Sequence, residues 1–181
     1  MNKILQILLL LGVALPIVSH ASDICRQEYG EMVCKKGIVK TIDATGFVKM
    51  NGTQVENHTQ INGSLRALNI VLKSLTVNGE ATIKNSVVND EAVINGNLTA
   101  KNSKFLSGLT LISHHAIFDT CELQDLVFKK TNPTTHVLKL FNTVVGGNVK
   151  FEDGNGVIYL CKGSKVIGSV AGGKIIEICK K

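Results

Sequence analysis

The chain has 181 residues, enough to bury the core of one domain with at most a small appendage. Its composition, 44% hydrophobic against 19% charged with 17 Gly and 2 Pro, excludes intrinsic disorder and a coiled coil. The formal net charge is +6, and 2 Tyr, 6 Phe and no Trp are too few aromatic side chains to favour functions that need aromatic platforms, such as sugar stacking or single-stranded nucleic-acid binding.

Met1 to Lys3 is a short cationic start, Ile4 to Val18 is an apolar run of 15 residues containing Pro16, and Ser19 and Ala21 place small residues where a signal peptidase reads them. This is the pattern of a cleavable signal peptide over residues 1–21, and the run falls short of the roughly 20 residues that span a bilayer. Secretion or a periplasmic location is expected, and no later stretch is apolar for long enough to give the mature chain a transmembrane segment. Arg26 and Arg66 are the only arginines, the other basic residues being Lys. Such a surface is poorly suited to bidentate phosphate recognition, so nucleic acid is not an expected partner, and an anionic envelope polymer is a candidate partner held only by weak attraction.

Residues 22–44 show no repeat and are expected to form an N-terminal cap. Cys25 and Cys34 lie nine apart within it and can close a small disulfide loop in an oxidising compartment.

From Thr45 the chain repeats. Asn78-Gly79-Glu80-Ala81-Thr82-Ile83-Lys84-Asn85-Ser86 returns 17 residues later as Asn95-Gly96-Asn97-Leu98-Thr99-Ala100-Lys101-Asn102-Ser103. A Gly column runs through Gly46, Gly63, Gly79 and Gly96, with Ser113 at the next step. Three apolar columns accompany it: Val48, Leu65, Ala81, Leu98; Met50, Ala67, Ile83, Ala100, Ile117; and Ile61, Val77, Ile94, Leu111, Phe128. Asn69, Asn85, Asn102 and Asp119 form a polar corner ladder. Apolar residues alternate within each unit, which is the period of a strand. The same residue recurring at the same place in each unit means that the units stack in register, about 4.8 Å apart. The expected fold is therefore all-β, a single-stranded parallel β-helix (β-solenoid) over residues 45–181 with coils of 16–18 residues. Its handedness is left open.

The polar stretch Lys129 to His136 interrupts the pattern and should bulge from a corner, as should the Gly-rich excursion Asp153-Gly154-Asn155-Gly156. A step of 18 then aligns Ile158 with Ile176, Leu160 with Ile178 and Cys161 with Cys179, which predicts a second disulfide between stacked coils. Cys121 remains, as a buried thiol or an intermolecular link. No cysteine spacing suits a metal or redox site, and no cofactor is expected.

The histidines make a poor ligand set, because adjacent His114 and His115 should face opposite ways on a strand. His115 falls on the column of Val48, Leu65, Ala81 and Leu98, where a local shift of the coil or a satisfied buried ring explains it better than catalysis. Asp119, Glu122 and Asp125 form the best local group of carboxylates, but they spread around one coil rather than converging on a groove as a glycosidase requires. The Asn/Asp ladder reads as structural, since every coil contributes the same residue.

The repeats Val77-Asn78-Gly79-Glu80-Ala81-Thr82-Ile83 and Ile94-Asn95-Gly96-Asn97-Leu98-Thr99-Ala100 resemble the core of bactofilins, the polymer-forming β-helical cytoskeletal proteins of bacteria. The likeness covers roughly Thr45 to Phe128. It implies a right-handed helix and end-to-end assembly without a nucleotide, while the leader, the paired cysteines and the irregular last third depart from that cytosolic family. The function expected first is a structural or binding role in the cell envelope or outside the cell, without catalysis. The alternatives are an end-stacking filament or homo-oligomer, and a β-helix carbohydrate-active enzyme working through Asp119, Glu122 or Asp125.

Overall fold

A computed structural model describes residues 24–131, 135–161 and 163–178. The expected signal peptide lies outside these residues. Within them there is no helix; strands turn over every few residues and stack in parallel into a β-solenoid of about 8 turns. Each turn has three faces. The first is made of successive strands such as Ala81–Lys84, Leu98–Lys101 and His115–Asp119, the second of two-residue strands such as Val87–Val88 and Lys104–Phe105, and the third of Ala92–Asn95, Leu109–Leu111 and Leu126–Phe128.

The expected columns are the core. Alternation along each strand sends Val48, Leu65, Ala81 and Leu98 inward on the first face, all at most 2% exposed. Ile61, Val77, Ile94, Leu111 and Phe128 do the same on the third face. No coil buries a side chain alone, since each inward residue is covered by its counterparts in the coils before and after.

The glycine column has a cause beyond its left-handed backbone. Gly63, Gly79 and Gly96 have φ of 151°, 151° and 145°. A Cβ on them would lie 2.0, 2.1 and 2.3 Å from the carbonyl oxygen of the glycine one coil earlier. The corner therefore stacks peptide on peptide, and only hydrogen fits between them. The column stops at Gly96 because Ile112-Ser113-His114 stand where the next Asn-Gly would be. Without glycine the chain takes a wider corner, in which the Ser113 hydroxyl accepts the His115 N–H at 3.0 Å.

That wider corner lengthens the coil to 18 residues and corrects three expectations. Leu98 pairs with Ala116, so Ala116 and not His115 continues the core column. Ala100 pairs with Phe118, so Phe118 replaces Ile117 in the next one. Lys101 pairs with Asp119, which moves Asp119 off the corner ladder and puts Thr120 there, at φ 57°. Two longer coils follow, Ala116 to Leu138 and Leu138 to Ile158, whose extra residues fall between the strands Leu126–Phe128 and His136–Phe141 and between Val149–Phe151 and Gly156–Leu160. The last step returns to 17: Ile158 pairs with Ile175 and Tyr159 with Ile176, where a step of 18 was expected.

At the other end, β1 (Cys25–Glu28) and β2 (Glu31–Cys34) form an antiparallel hairpin. Stacking reaches further back than the recurring residues do. β2 pairs in parallel with Phe47–Met50, and β3 (Gly37–Val39) with Thr53–Val55. Residues 31–44 are thus already a coil, and β1 folds over it, held by the Cys25–Cys34 disulfide.

Candidate functional site

The polar residues singled out from the sequence sit at the corners. Where the first face turns to the second, Asn69, Asn85, Asn102, Thr120 and Asn142 take left-handed φ of 47–57°. Asn85 Nδ2 donates to Asn69 Oδ1 and Asn102 Nδ2 to Asn85 Oδ1, each at 3.2 Å, so the amides form a hydrogen-bonded file along the axis. A second such rung joins Asn78 to Asn62 at 2.7 Å on another corner.

The residue that trails each Asn at this corner, a Ser or Thr column legible in the sequence, forms a buried ladder, with Cys121 and not Thr120 as its third member. Ser86, Ser103, Cys121 and Thr143 are buried one above another. Ser86 Oγ accepts the Ile70 N–H, Ser103 Oγ the Ser86 N–H, Thr143 Oγ1 the Cys121 N–H and Ser164 Oγ the Thr143 N–H, at 3.1–3.2 Å. The hydroxyls of Ser86, Ser103 and Thr143 donate in turn to the carbonyl two residues back. Cys121 is the rung in which a thiol replaces the hydroxyl, and it is free and buried. Ser and Thr following an Asn at coil spacing was the available signal.

The three carboxylates weighed for catalysis are separated. Asp119 ends a first-face strand and pairs with Lys101 at 2.8 Å. Its hydrogen bonds from Lys101 and Thr120 hold its pKa below the usual carboxylate value. Glu122 lies on the second face with Lys104 at 2.9 Å. Asp125 stands at the following corner and accepts the Asn148 N–H at 2.7 Å. Each is engaged by a neighbouring coil.

A buried polar cluster gathers around His136, at the start of the strand His136–Phe141. His136 is fully buried, its Nδ1 2.6 Å from the Ser113 carbonyl and its Nε2 2.8 Å from Asp153 Oδ2. A carbonyl only accepts, so Nδ1 carries a proton. Burial raises the Asp153 pKa, but hydrogen bonds from the Asn155 N–H and His136 outweigh this and leave it lowered. The ring packs against Phe128, Phe151 and His114, with centroids 5.4, 6.2 and 5.8 Å away. Gly156 makes room for Phe151, whose ring would lie 2.2 Å from a Cβ there. Both nitrogens of His136 are taken up and its ring is closed to solvent, so this cluster acts as a clamp between coils and has no nitrogen left for a substrate. His115 is half-buried beside Lys139, and burial first, then that charge, lowers its pKa.

Cys161 is buried and disulfide-bonded; Cys179, its expected partner, lies outside the described residues, so that pairing does too. Among the described residues no group of three or more His, Cys, Asp and Glu is placed to hold a metal ion. No known protein family, curated protein or solved structure matches the chain.

Proposed function

We propose that this β-solenoid is exported and has a structural or binding role in the cell envelope or outside the cell, without catalysis. The observation that carries this reading is the Cys25–Cys34 disulfide locking the hairpin over the first coil, a bond that persists in oxidising compartments. The apolar leader over residues 1–21 supports it, as does the use of the carboxylates, amides and His136 as ties between coils. Expression of the whole chain in a bacterial host, followed by fractionation and N-terminal sequencing, tests it. Protein that begins at Ser22, outside the cytosol and with Cys25 bonded to Cys34, is expected. Uncleaved protein retained in the cytosol refutes it.

A self-associating scaffold is the second reading, favoured by the last described coil. Ile175 is 46% exposed, whereas its partner Ile158 is fully buried, and Ile167 and Ile178 are also exposed. Sedimentation over a range of concentrations separates the two, since a monomer at all concentrations removes the assembly reading.

A further inference from the structure

One strip of the surface concentrates charge in a way that coil stacking does not require. On the first face, alternate side chains point outward in two rows along the solenoid. One row runs through Val33, Lys49, Arg66 and Thr82, and the other through Asn51, Leu68, Lys84 and Lys101. Lys35, directly after β2, extends the second row to the first coil. Between the rows runs a trough of two overlapping clefts, and a third, lined by Lys35, Lys36, Asn51, Gly52 and Asn69, adjoins it at the corner beyond the second row. Arg66 and Leu68 belong to both clefts of the trough, which ends at Lys84, and Lys35 to the first of them and to the third.

Five successive coils thus each present one cation: Lys35, Lys49, Arg66, Lys84 and Lys101. Lys49 is paired across strands with Arg66, and Lys84 with Lys101. Like charges placed directly opposite are destabilising, so the strip is held together against its own repulsion. Only Lys49 and Lys101 have carboxylates, from Glu31 at 2.9 Å and Asp119 at 2.8 Å. Lys35, Arg66 and Lys84 have no ion pair among the described residues. The Phe47 ring lies 5.4 Å from the Lys49 ammonium and 5.6 Å from the Arg66 guanidinium, which steadies both above the face. Half-buried Leu68 supplies an apolar floor.

We propose that this trough binds an extended acidic polysaccharide, a chain bearing one carboxylate or sulfate on each sugar. The proposal rests on the binding role inferred above and names its partner. Within each row the neighbouring cations, Lys49 with Arg66 and Lys84 with Lys101, stand one strand spacing of about 4.8 Å apart, which suits a polymer that carries its charges singly and at short intervals. Single-stranded nucleic acid fits less well, because it draws on aromatic stacking and the one ring here is occupied by two cations.

Titration of the purified chain with oligogalacturonate, neutral dextran and single-stranded DNA tests the assignment. Oligogalacturonate should bind with an affinity that falls as salt rises, and dextran should not bind. The double variant Arg66→Gln with Lys84→Gln should bind about tenfold more weakly, while Lys73→Gln with Lys150→Gln, which removes the same charge elsewhere, should stay within about twofold of the parent. All four side chains are exposed, so both variants should unfold at the parent's midpoint. No oligogalacturonate binding, equal weakening in both variants, or tighter binding of DNA overturns the proposal. An exported protein that fails this test sinks the trough alone, and a cytosolic one that passes it sinks only the export reading.

Discussion

Cys121 stands where neighbouring coils place Ser103 and Thr143, and it does their work with sulfur. It accepts the Ser103 N–H, and its Sγ donates to the Asp119 carbonyl at 3.4 Å. Burial pushes its pKa up to about 11, so the thiolate that reacts with electrophiles is scarce near neutral pH. The native protein should therefore resist a thiol reagent at pH 8 and react fully once unfolded; rapid native labelling would contradict this burial. Replacement by Ser keeps donor and acceptor and should shift unfolding by less than about 0.5 kcal/mol. Replacement by Val leaves the Ser103 N–H buried without a partner and should cost about 1–3 kcal/mol. Of the two roles the sequence left open for this residue, only the buried thiol agrees with 3% exposure.

At the scale of the element, the corners set the length of each coil. While Asn-Gly recurs, peptides stack directly and coils are 16 or 17 residues long; where Ile112-Ser113-His114 replaces it, the coil gains a residue and Asp119 leaves the ladder. Gly79→Ala should cost about 3 kcal/mol, because its Cβ would meet the Gly63 carbonyl at 2.1 Å with φ at 151°. Gly108→Ala has nothing within 4 Å and should stay within about 0.5 kcal/mol of the parent. Urea unfolding measures both, and similar losses would refute the stacking account. The columns were legible because strand periodicity and coil length repeat together. His115 on an apolar column already pointed to a local shift of the coil, but its size was not legible, since nothing in a list of recurring residues says how many are needed to round a corner lacking glycine.

For the whole molecule, stability is close to a sum over neighbouring coils, and the ends are where that sum is short of a partner. β1 covers the first coil, and the disulfide holds it there by closing a loop of nine-residue separation. Replacing Cys25 and Cys34 by Ser should cost about 2–3 kcal/mol, given the dependence on loop length. The loss should be local: hydrogen exchange should speed up in residues 31–51 while strands such as His136–Phe141 keep their protection. A uniform loss of protection would show that the solenoid unfolds as one unit.

The sequence by itself determined that the chain winds, which residues turn inward and where the winding is interrupted, because each of these is a periodic demand that every coil states again. The tertiary structure alone decided the register of the longer coils, the closing of Cys121 into a hydroxyl ladder, the clamping of the excursions by His136 and Asp153, and the line of cations on the first face. Those depend on how residues about a coil apart meet across strands. A single extra residue at one corner moves each later side chain to a new neighbour, and only the folded coils show where it lands.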